Sequence, residues 1–427
     1  MFDSIKSLLE KYHTNEFWVA YSGGIDSSVL LHLIKRYKDL KPDLNVKAIH
    51  INHNISPNSY NWCQHSSKAC KHLNIPITIK TVTSKPKNGD SLESWARENR
   101  YHCFENLANN KEIYILLAHH QEDQAETFLL NALRGSGLTG LSAMPYSRNK
   151  NRVTYLRPLL STSRREIEKY AIEHNLKWID DESNRSQEIN RNYLRHTVIP
   201  KLNIKWPNSS AQLARAASLC SENNFVLNKY LKEDLASVLK NKDDYSCIDL
   251  NKLILFEPVK IKILIKYWVN NIFDIQLPYK DYETISRNLR TKENGWQYHL
   301  LSQYHIQKYS NTLSINKIQD NHNQSFEHYW DLSIDKNIYI PSINKTITMD
   351  VLNHFGLELH NHKQIVLRSR QPKDRCKPTY RQKSQKLKII FQELKIPSWK
   401  REESIIIEDF KSGKILAVYP HFICKSI

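Results

Sequence analysis

The run Ser22-Gly23-Gly24-Ile25-Asp26-Ser27-Ser28 constrains this chain more than any other stretch. Before it, Phe17-Trp18-Val19-Ala20-Tyr21 is apolar and aromatic, the pattern of a buried β-strand. After it, Val29-Leu30-Leu31-His32-Leu33-Ile34 reads as the start of a packed helix. A glycine–hydroxyl loop between a strand and a helix is an anion cradle. Glycines let the backbone approach oxygens closely and take positive φ. The first amides of the helix point outward unsatisfied, and its dipole favours negative charge. The serines add donors, and Asp26 is placed to hold a divalent cation or to orient the loop. No Gly-Lys-Ser/Thr closes the run, so it is not a Walker A loop.

Up to about residue 120 the pattern alternates. Short strands are predicted at Phe17–Tyr21, Val46–Ile51, Ile77–Thr81 and Ile113–Ala118, with helices at Ser27–Tyr37, Ser59–Leu73 and Ser91–Ala108 between them. That rhythm predicts an α/β fold, a doubly wound parallel sheet, whose ligands bind outside the carboxyl ends of the strands. Ser22, Asn52-His53-Asn54 and His119-His120 all fall at such ends. After Trp206-Pro207 the alternation stops. Helices are expected at Ser209–Leu239, Leu250–Ile272 and Tyr279–Leu289, giving a helical middle domain. Short strands return from about residue 326 (Asn337–Ile340, Thr346–Asp350, Ile365–Ser369, Ser404–Glu408, Ile415–Tyr419) in a small α+β C-terminal domain. A chain of 427 residues exceeds one comfortable core, and three domains are expected, at 1–205, 206–325 and 326–427.

The net charge of +18 implies a polyanionic partner. The charge is clustered: between Arg368 and Arg401 stand twelve Lys and Arg against only Asp374 and Glu393, interleaved with Tyr380, Phe391 and Trp399. Cations for phosphate and aromatics for stacking describe an RNA-facing surface. Leu387, Ile389, Ile390, Phe391, Leu394 and Ile396-Pro397 argue that it is a folded helix rather than a disordered tail. Seven cysteines without a Cys-x-x-Cys pair argue against a disulfide framework and against zinc. Met1 to Tyr12 reads as an ordinary amphipathic helix rather than a leader, and Leu253 to Val269 is broken by lysines and Glu257. The expectation is a cytoplasmic protein with no membrane partner.

A third strand end is the richest. Leu117-Ala118-His119-His120 runs into Gln121-Glu122-Asp123-Gln124-Ala125-Glu126-Thr127, where spacing of three puts Asp123 and Glu126 on one helical face. Adjacent histidines lack the His-Glu-x-x-His spacing of a zinc helix. A dipole-stabilising first turn accounts for Glu122 better than for the Asp123–Glu126 pair. Three glycines in Arg134-Gly135-Ser136-Gly137-Leu138-Thr139-Gly140 then make a tight loop, with Arg134 available to a phosphate or a carboxylate.

The Ser-Gly-Gly-x-Asp-Ser run resembles the pyrophosphate motif of the N-type ATP pyrophosphatases, which split ATP into AMP and pyrophosphate. With it, in one order, stand Glu93, Arg97, Arg100 and Tyr101; His119-His120 with Asp123-Gln124 and Glu126-Thr127; Arg134-Gly135-Ser136-Gly137; Arg157-Pro158-Leu159-Leu160; Asp181 with Asn184; and Arg191-Asn192 with Arg195. Together these resemble the tRNA(Ile)-lysidine synthetases. The C-terminal domain of that family is matched by Arg368-x-Arg370, Asp374-Arg375 before Pro378, and Lys386-Leu387-Lys388 with Ile396-Pro397. Lys373 stands where a glycine is common, and Glu402-Glu403-Ser404 where a proline is.

The resemblance implies a ligase that adenylates the wobble cytidine of a CAU anticodon and joins free L-lysine to it, with ATP and Mg2+ required and tRNA(Ile) as partner. On that reading Ser22, Gly23, Gly24, Ile25, Asp26 and Ser27 bind the ATP phosphates, with Asp26 on Mg2+. Asp123 and Glu126 recognise the lysine ammonium or assist its deprotonation. His119, Arg97, Arg134 and Arg191 are candidate charge stabilisers or nucleotide and RNA contacts. Arg368, Arg370, Arg375, Lys386 and Lys388 are candidate tRNA contacts. Structural pairing with local carboxylates is the competing reading for Arg191 and Arg195. A tRNA thiolase or a non-catalytic RNA-binding protein is the alternative for the whole.

Overall fold

The computed structural model describes residues 1–86, 91–180, 190–241, 244–290, 295–300, 303–309, 311–318, 325–359 and 362–425. Two compact units follow one another in the chain, Met1–Leu227 and Asn228–Ile427.

The first unit runs α1 (Phe2–Leu9), β1 (Glu16–Ala20), α2 (Ile25–Leu40), β2 (Asn45–Asn52), α3 (Ser59–His72), β3 (Ile77–Thr81), α4 (Leu92–Ala108), β4 (Ile113–Leu116), α5 (Gln121–Leu133), α6 (Leu138–Leu141), β5 (Ser147–Lys150), β6 (Val153–Leu156) and α7 (Arg164–Glu173). Its six-stranded sheet has the order β3-β2-β1-β4-β6-β5. Every pairing is parallel except the β5–β6 hairpin, which closes one edge. The unbroken apolar run of β1 follows from burial on both faces. Phe17 and Val19 enter one core with Val29, Leu30, Leu33 and Ile34 of α2 and with Ile167 and Ala171 of α7. Trp18 and Ala20 pack on the opposite core with Phe104 and Ala108 of α4, Ile115 and Tyr155. The doubly wound parallel sheet expected from the sequence is therefore present. The β5–β6 hairpin is an addition, unrecognised because all four residues of Ser147–Lys150 are exposed and polar and carry no hydrophobic period.

In the second unit the helix Tyr279–Leu289 stands where the sequence placed it. The helix expected over Leu250–Ile272 is divided into Leu250–Leu253 and Pro258–Ile272, because a proline can begin a helix but not continue one. With these helices comes a five-stranded antiparallel sheet that the sequence reading did not anticipate. It is built from Leu239–Asn241, Asp244–Asp249, Thr312–Lys317, Tyr304–Tyr309 and Trp296–Leu300 in that spatial order. The strands are short and rich in Gln, His, Lys and Tyr, which blurs their alternation. Trp268 is fully buried and donates its indole N–H to the Tyr245 carbonyl at 2.7 Å, seating the helix on the sheet.

A second antiparallel sheet orders Glu327–Asp331, Gln364–Ser369, Ile405–Asp409, Ile415–Tyr419 and Phe422–Ile423. Successive isoleucines of its third strand serve two cores. Ile405 and Ile407 join Trp330, Ile365 and Leu367, whereas Ile406 meets Leu387, Ile390 and Phe391 of the helix Leu387–Glu393 on the other face. The strand expected at Thr346–Asp350 ends at Thr348, whose hydroxyl caps the helix Met349–His354 by accepting from the Val351 amide at 3.2 Å.

Candidate active site

Chain order reverses between β1 and β4, which lie side by side, so the loops leaving their carboxyl ends open a crevice at a topological switch point. One wall is the loop from Ser22 to Ser28. Gly24 is the N-cap of α2 and no side chain caps the first turn. The hydroxyls tie the loop together: the Ser27 and Ser22 hydroxyls lie 3.0 Å apart, and Ser27 and Ser28 donate to the Gly24 carbonyl at 2.9 and 3.0 Å. Gly23 has φ +89°, and a Cβ there would stand 3.3 Å from Ile179 Cδ1, while its carbonyl accepts from the Ile179 amide at 2.9 Å. A preformed loop, an uncapped helix start and a position only glycine fills without strain fit a phosphate chain.

Asp26 stands in the first turn of α2. Arg164, the first residue of α7, donates from Nη1 to both Asp26 oxygens. The Arg164 amide is held by Glu122 Oε2 at 2.9 Å. The same Glu122 oxygen lies 3.0 Å from His120 Nδ1, and His120 Nε2 lies 3.5 Å from Asp123 and 3.8 Å from Asp26. Burial opposes a charge on His120, yet Asp123, Glu122 and Asp26 outweigh it and raise its pKa. Among the described residues no three His, Cys, Asp or Glu side chains cluster as a metal cage. A single carboxylate beside a phosphate cradle instead suits Mg2+, which is bound through one or two carboxylates plus substrate phosphates.

The other wall is the first turns of α5. The Asp123 carboxylate accepts from the His120 amide at 3.0 Å, which fixes the turn from β4 into the helix. Glu126 is fully buried, and both its oxygens are taken by Arg195, from Nε at 2.6 Å and from Nη2 at 2.9 Å. Arg195 Nη2 also reaches Asp123 at 2.9 Å. Arg191 pairs with Glu126 at 3.1 Å and donates to the Thr127 hydroxyl at 2.7 Å. Burial acts to raise the Asp123 pKa, but His120, His119, Arg195 and Arg191 hold it down to about 2. For Glu126 burial wins over the guanidiniums and its pKa is raised. Arg195 lies in a π-helical turn, Leu194–Val198, between the helices Asn190–Tyr193 and Ile199–Lys205. Such wide turns occur frequently at functional sites.

His119 lies close to the carboxylates but is no standing cation. Burial, against Asp123 and helped by Arg157, Arg191 and Arg100, lowers its pKa to about 3. The positively biased imidazole is the adjacent His120. Arg97 is exposed on α4, its guanidinium 5.1 Å from the Tyr101 ring centre. Arg134 is the exposed C-cap of α5. Asp181 and Asn184 lie outside the described residues.

In the second unit Arg375, Lys386 and Lys388 are exposed and Arg370 is half-buried. Arg368 is different, and its assignment as a tRNA contact is corrected. It is 7% exposed and bonded to Asp374 and Glu408, which neutralise it inside the sheet. Phe391, expected among the stacking aromatics, is fully buried in the core, while Tyr380 is 58% exposed.

Sequence reasoning missed Arg164 and His120 as partners of Asp26. The signal for Arg164 was present in Ser163-x-x-Glu166, a capping box that begins α7 and puts residue 164 at its first position. Nothing local says that this position faces residue 26.

Residues 1–202 match the PP-loop domain family model, and residues 365–427 match the TilS substrate C-terminal domain. The tRNA(Ile)-lysidine synthase of Francisella philomiragia is 36% identical over 408 residues, 95% of this chain and 94% of the relative. That of Coxiella burnetii is 32% identical over 96% of this chain and 90% of the relative. Among solved structures, a U34-tRNA thiolase from Methanococcus maripaludis superposes with a TM-score of 0.44 at 17% identity, over 51% of this chain and 78% of that one.

Proposed function

The chain belongs to the tRNA(Ile)-lysidine synthase family, and we propose from that premise how its crevice carries out the family's ligation. The enzyme is a tRNA-modifying ligase that uses ATP and acts on tRNA(Ile). The observation that carries the detailed reading is the juxtaposition, at one switch point, of an uncapped phosphate cradle and a buried carboxylate pair.

In the first step the cradle from Ser22 to Ser27 holds the ATP phosphates. The 2-carbonyl oxygen of the wobble cytidine in the CAU anticodon attacks the α-phosphate, and pyrophosphate leaves. Asp26 would hold Mg2+, which supplies charge neutralisation on the phosphates when bound. Arg164 and the imidazolium-biased His120 add fixed positive charge beside the leaving group. In the second step the ε-amine of free L-lysine attacks the activated ring carbon, AMP leaves, and lysidine remains. The nucleophile must be unprotonated, so an Asp123 carboxylate held ionised beside Glu126 suits the ammonium that does not react. Asp123 and Glu126 therefore hold the α-ammonium and aim the chain, and alignment of this kind is worth up to about 7–11 kcal/mol.

Exposed Arg375, Lys386 and Lys388, with half-buried Arg370 and exposed Tyr380, support a tRNA-binding role for the C-terminal region, 326–427. The region 1–205 is proposed as the catalytic domain and 206–325 as a second tRNA-binding domain. No described helix is long and apolar enough to cross a membrane, and we place the enzyme in the cytoplasm with its tRNA. The test is transfer of labelled lysine to a tRNA(Ile) transcript bearing CAU. Transfer dependent on ATP and abolished by changing CAU is expected. Pyrophosphate release with no lysine transfer, or sulfur transfer in its place, overturns the reading.

A further inference from the structure

The carboxylate pair assigned to substrate lysine is already satisfied from within the chain. Two guanidiniums, Arg191 and Arg195, balance two carboxylates, Asp123 and Glu126, in a place where Glu126 has no exposed surface. Adding an ammonium to that set would leave an uncompensated buried cation, which is costly. One cation therefore has to leave the carboxylates as lysine arrives.

Geometry decides which. Arg191 is the more enclosed, its side chain 22% exposed, and is anchored a second time on the Thr127 hydroxyl. Arg195 is 35% exposed, makes its hydrogen bonds to the two carboxylates, and rises from the π-helical turn rather than from regular helix.

Free lysine also brings the group that a displaced guanidinium needs. Its α-carboxylate and α-ammonium sit on one carbon, as donor and acceptor sit side by side in the Arg195–Glu126 pair. We propose that Arg195 occupies the ammonium subsite in the empty enzyme and, once displaced, receives the α-carboxylate of the incoming amino acid. The exchange makes as many ion pairs as it breaks and leaves the buried charge balanced. It also turns the site into a reader of a free amino acid rather than of any alkyl amine, since an amine without a carboxylate leaves Arg195 unpartnered. This inference rests on the lysine reading given above.

The experiment compares L-lysine with L-lysine methyl ester, which keeps both amines but has no carboxylate charge, in wild type, Arg195→Gln and Arg195→Lys, with ATP and CAU-bearing tRNA. The quantity read is the ratio of kcat/KM for lysine to that for the ester. In wild type it is expected to exceed about tenfold, the worth of one charge-assisted contact. In Arg195→Gln it should collapse toward one, with an intermediate value in Arg195→Lys and an unchanged KM for ATP. A ratio near one in wild type, or one that Arg195→Gln leaves unchanged, overturns the inference. The wild-type arm remains decisive if Arg195→Gln does not fold. Absence of lysine transfer by wild type would instead overturn the functional reading itself.

Discussion

Arg164 donates from a single nitrogen, Nη1, to both carboxylate oxygens of Asp26, at 2.7 and 2.8 Å, across 138 residues of sequence. The arginine thus presets the one carboxylate of the phosphate loop before any nucleotide arrives. Both side chains are partly exposed, so the pair adds less than about 1 kcal/mol to stability. Its effect should be on ATP handling. Asp26→Ala is expected to lower ATP-dependent lysine transfer by at least about 100-fold while leaving the melting temperature nearly unchanged. Arg164→Gln should raise the KM for ATP by about 3–10-fold, from loss of one charge-assisted hydrogen bond. Pyrophosphate release against ATP concentration and a thermal melt check both; a sharply lowered melting temperature in Asp26→Ala would give the pair a structural role instead.

Gly23→Ala isolates the loop backbone from its side chains. An L-residue at φ +89° is strained, and the added methyl would press on Ile179. The expected cost is about 1–3 kcal/mol, and because the strain sits in the cradle, ATP affinity should fall along with stability. ATP titration and chemical denaturation of the variant measure the two effects separately.

Two half-buried histidines set a pH response. His119 is lowered to about 3 and His53 to about 4, in both cases first by burial. Below the unfolded value of about 6.5 the unfolded chain binds these protons and the native chain does not, so stability falls as pH drops from 6.5 toward 4. The slope reaches at most about 1.4 kcal/mol per pH unit for each group. His120, raised in the native state, has its contribution fully present below 6.5 and loses it as pH rises through its native pKa. His119→Asn should flatten the acid limb of a stability–pH curve by one proton's worth and leave the alkaline limb alone.

The basic C-terminal stretch divides into two behaviours. Arg368→Ala strands Asp374 and Glu408 in the sheet and should destabilise the protein by about 3–5 kcal/mol. Lys386→Gln with Lys388→Gln should leave the melting temperature unchanged and weaken tRNA binding. The slope of log affinity against log salt should fall by about 1 for each phosphate that is no longer neutralised. Filter binding across a salt series separates the two behaviours.

The first half of the molecule was legible because its signals are local. A strand, a Gly-rich loop and a helix in sequence fix the cradle around Ser22 to Ser28, and apolar runs buried on both faces fix the parallel strands. The carboxylate pair was legible from its spacing. Which cation meets it was not, nor which meets Asp26, because Arg195 is 69 residues from Glu126 and Arg164 is 138 from Asp26, and only the strand order brings them together. Arg368 was misread because charge counts along a chain do not reveal burial. The antiparallel sheet between residues 239 and 317 was hidden by strands whose polar residues interrupt the period.

The wide turn Leu194–Val198 has a consequence for how the helical segment 190–205 tolerates change. An α-helix advances about 100° per residue. A wide turn of five residues sweeps about the angle that four α-helical residues sweep, so deleting one residue from Leu194–Val198 would restore regular winding and leave Asn190–Tyr193 and Ile199–Lys205 in nearly the same relative orientation. What would change is the direction of the side chains between them, and Arg195, which stands in that turn, would lose its aim at Glu126 and Asp123. The extra residue therefore serves aim rather than winding, and a deletion there should remove these ion pairs while sparing the helices on either side.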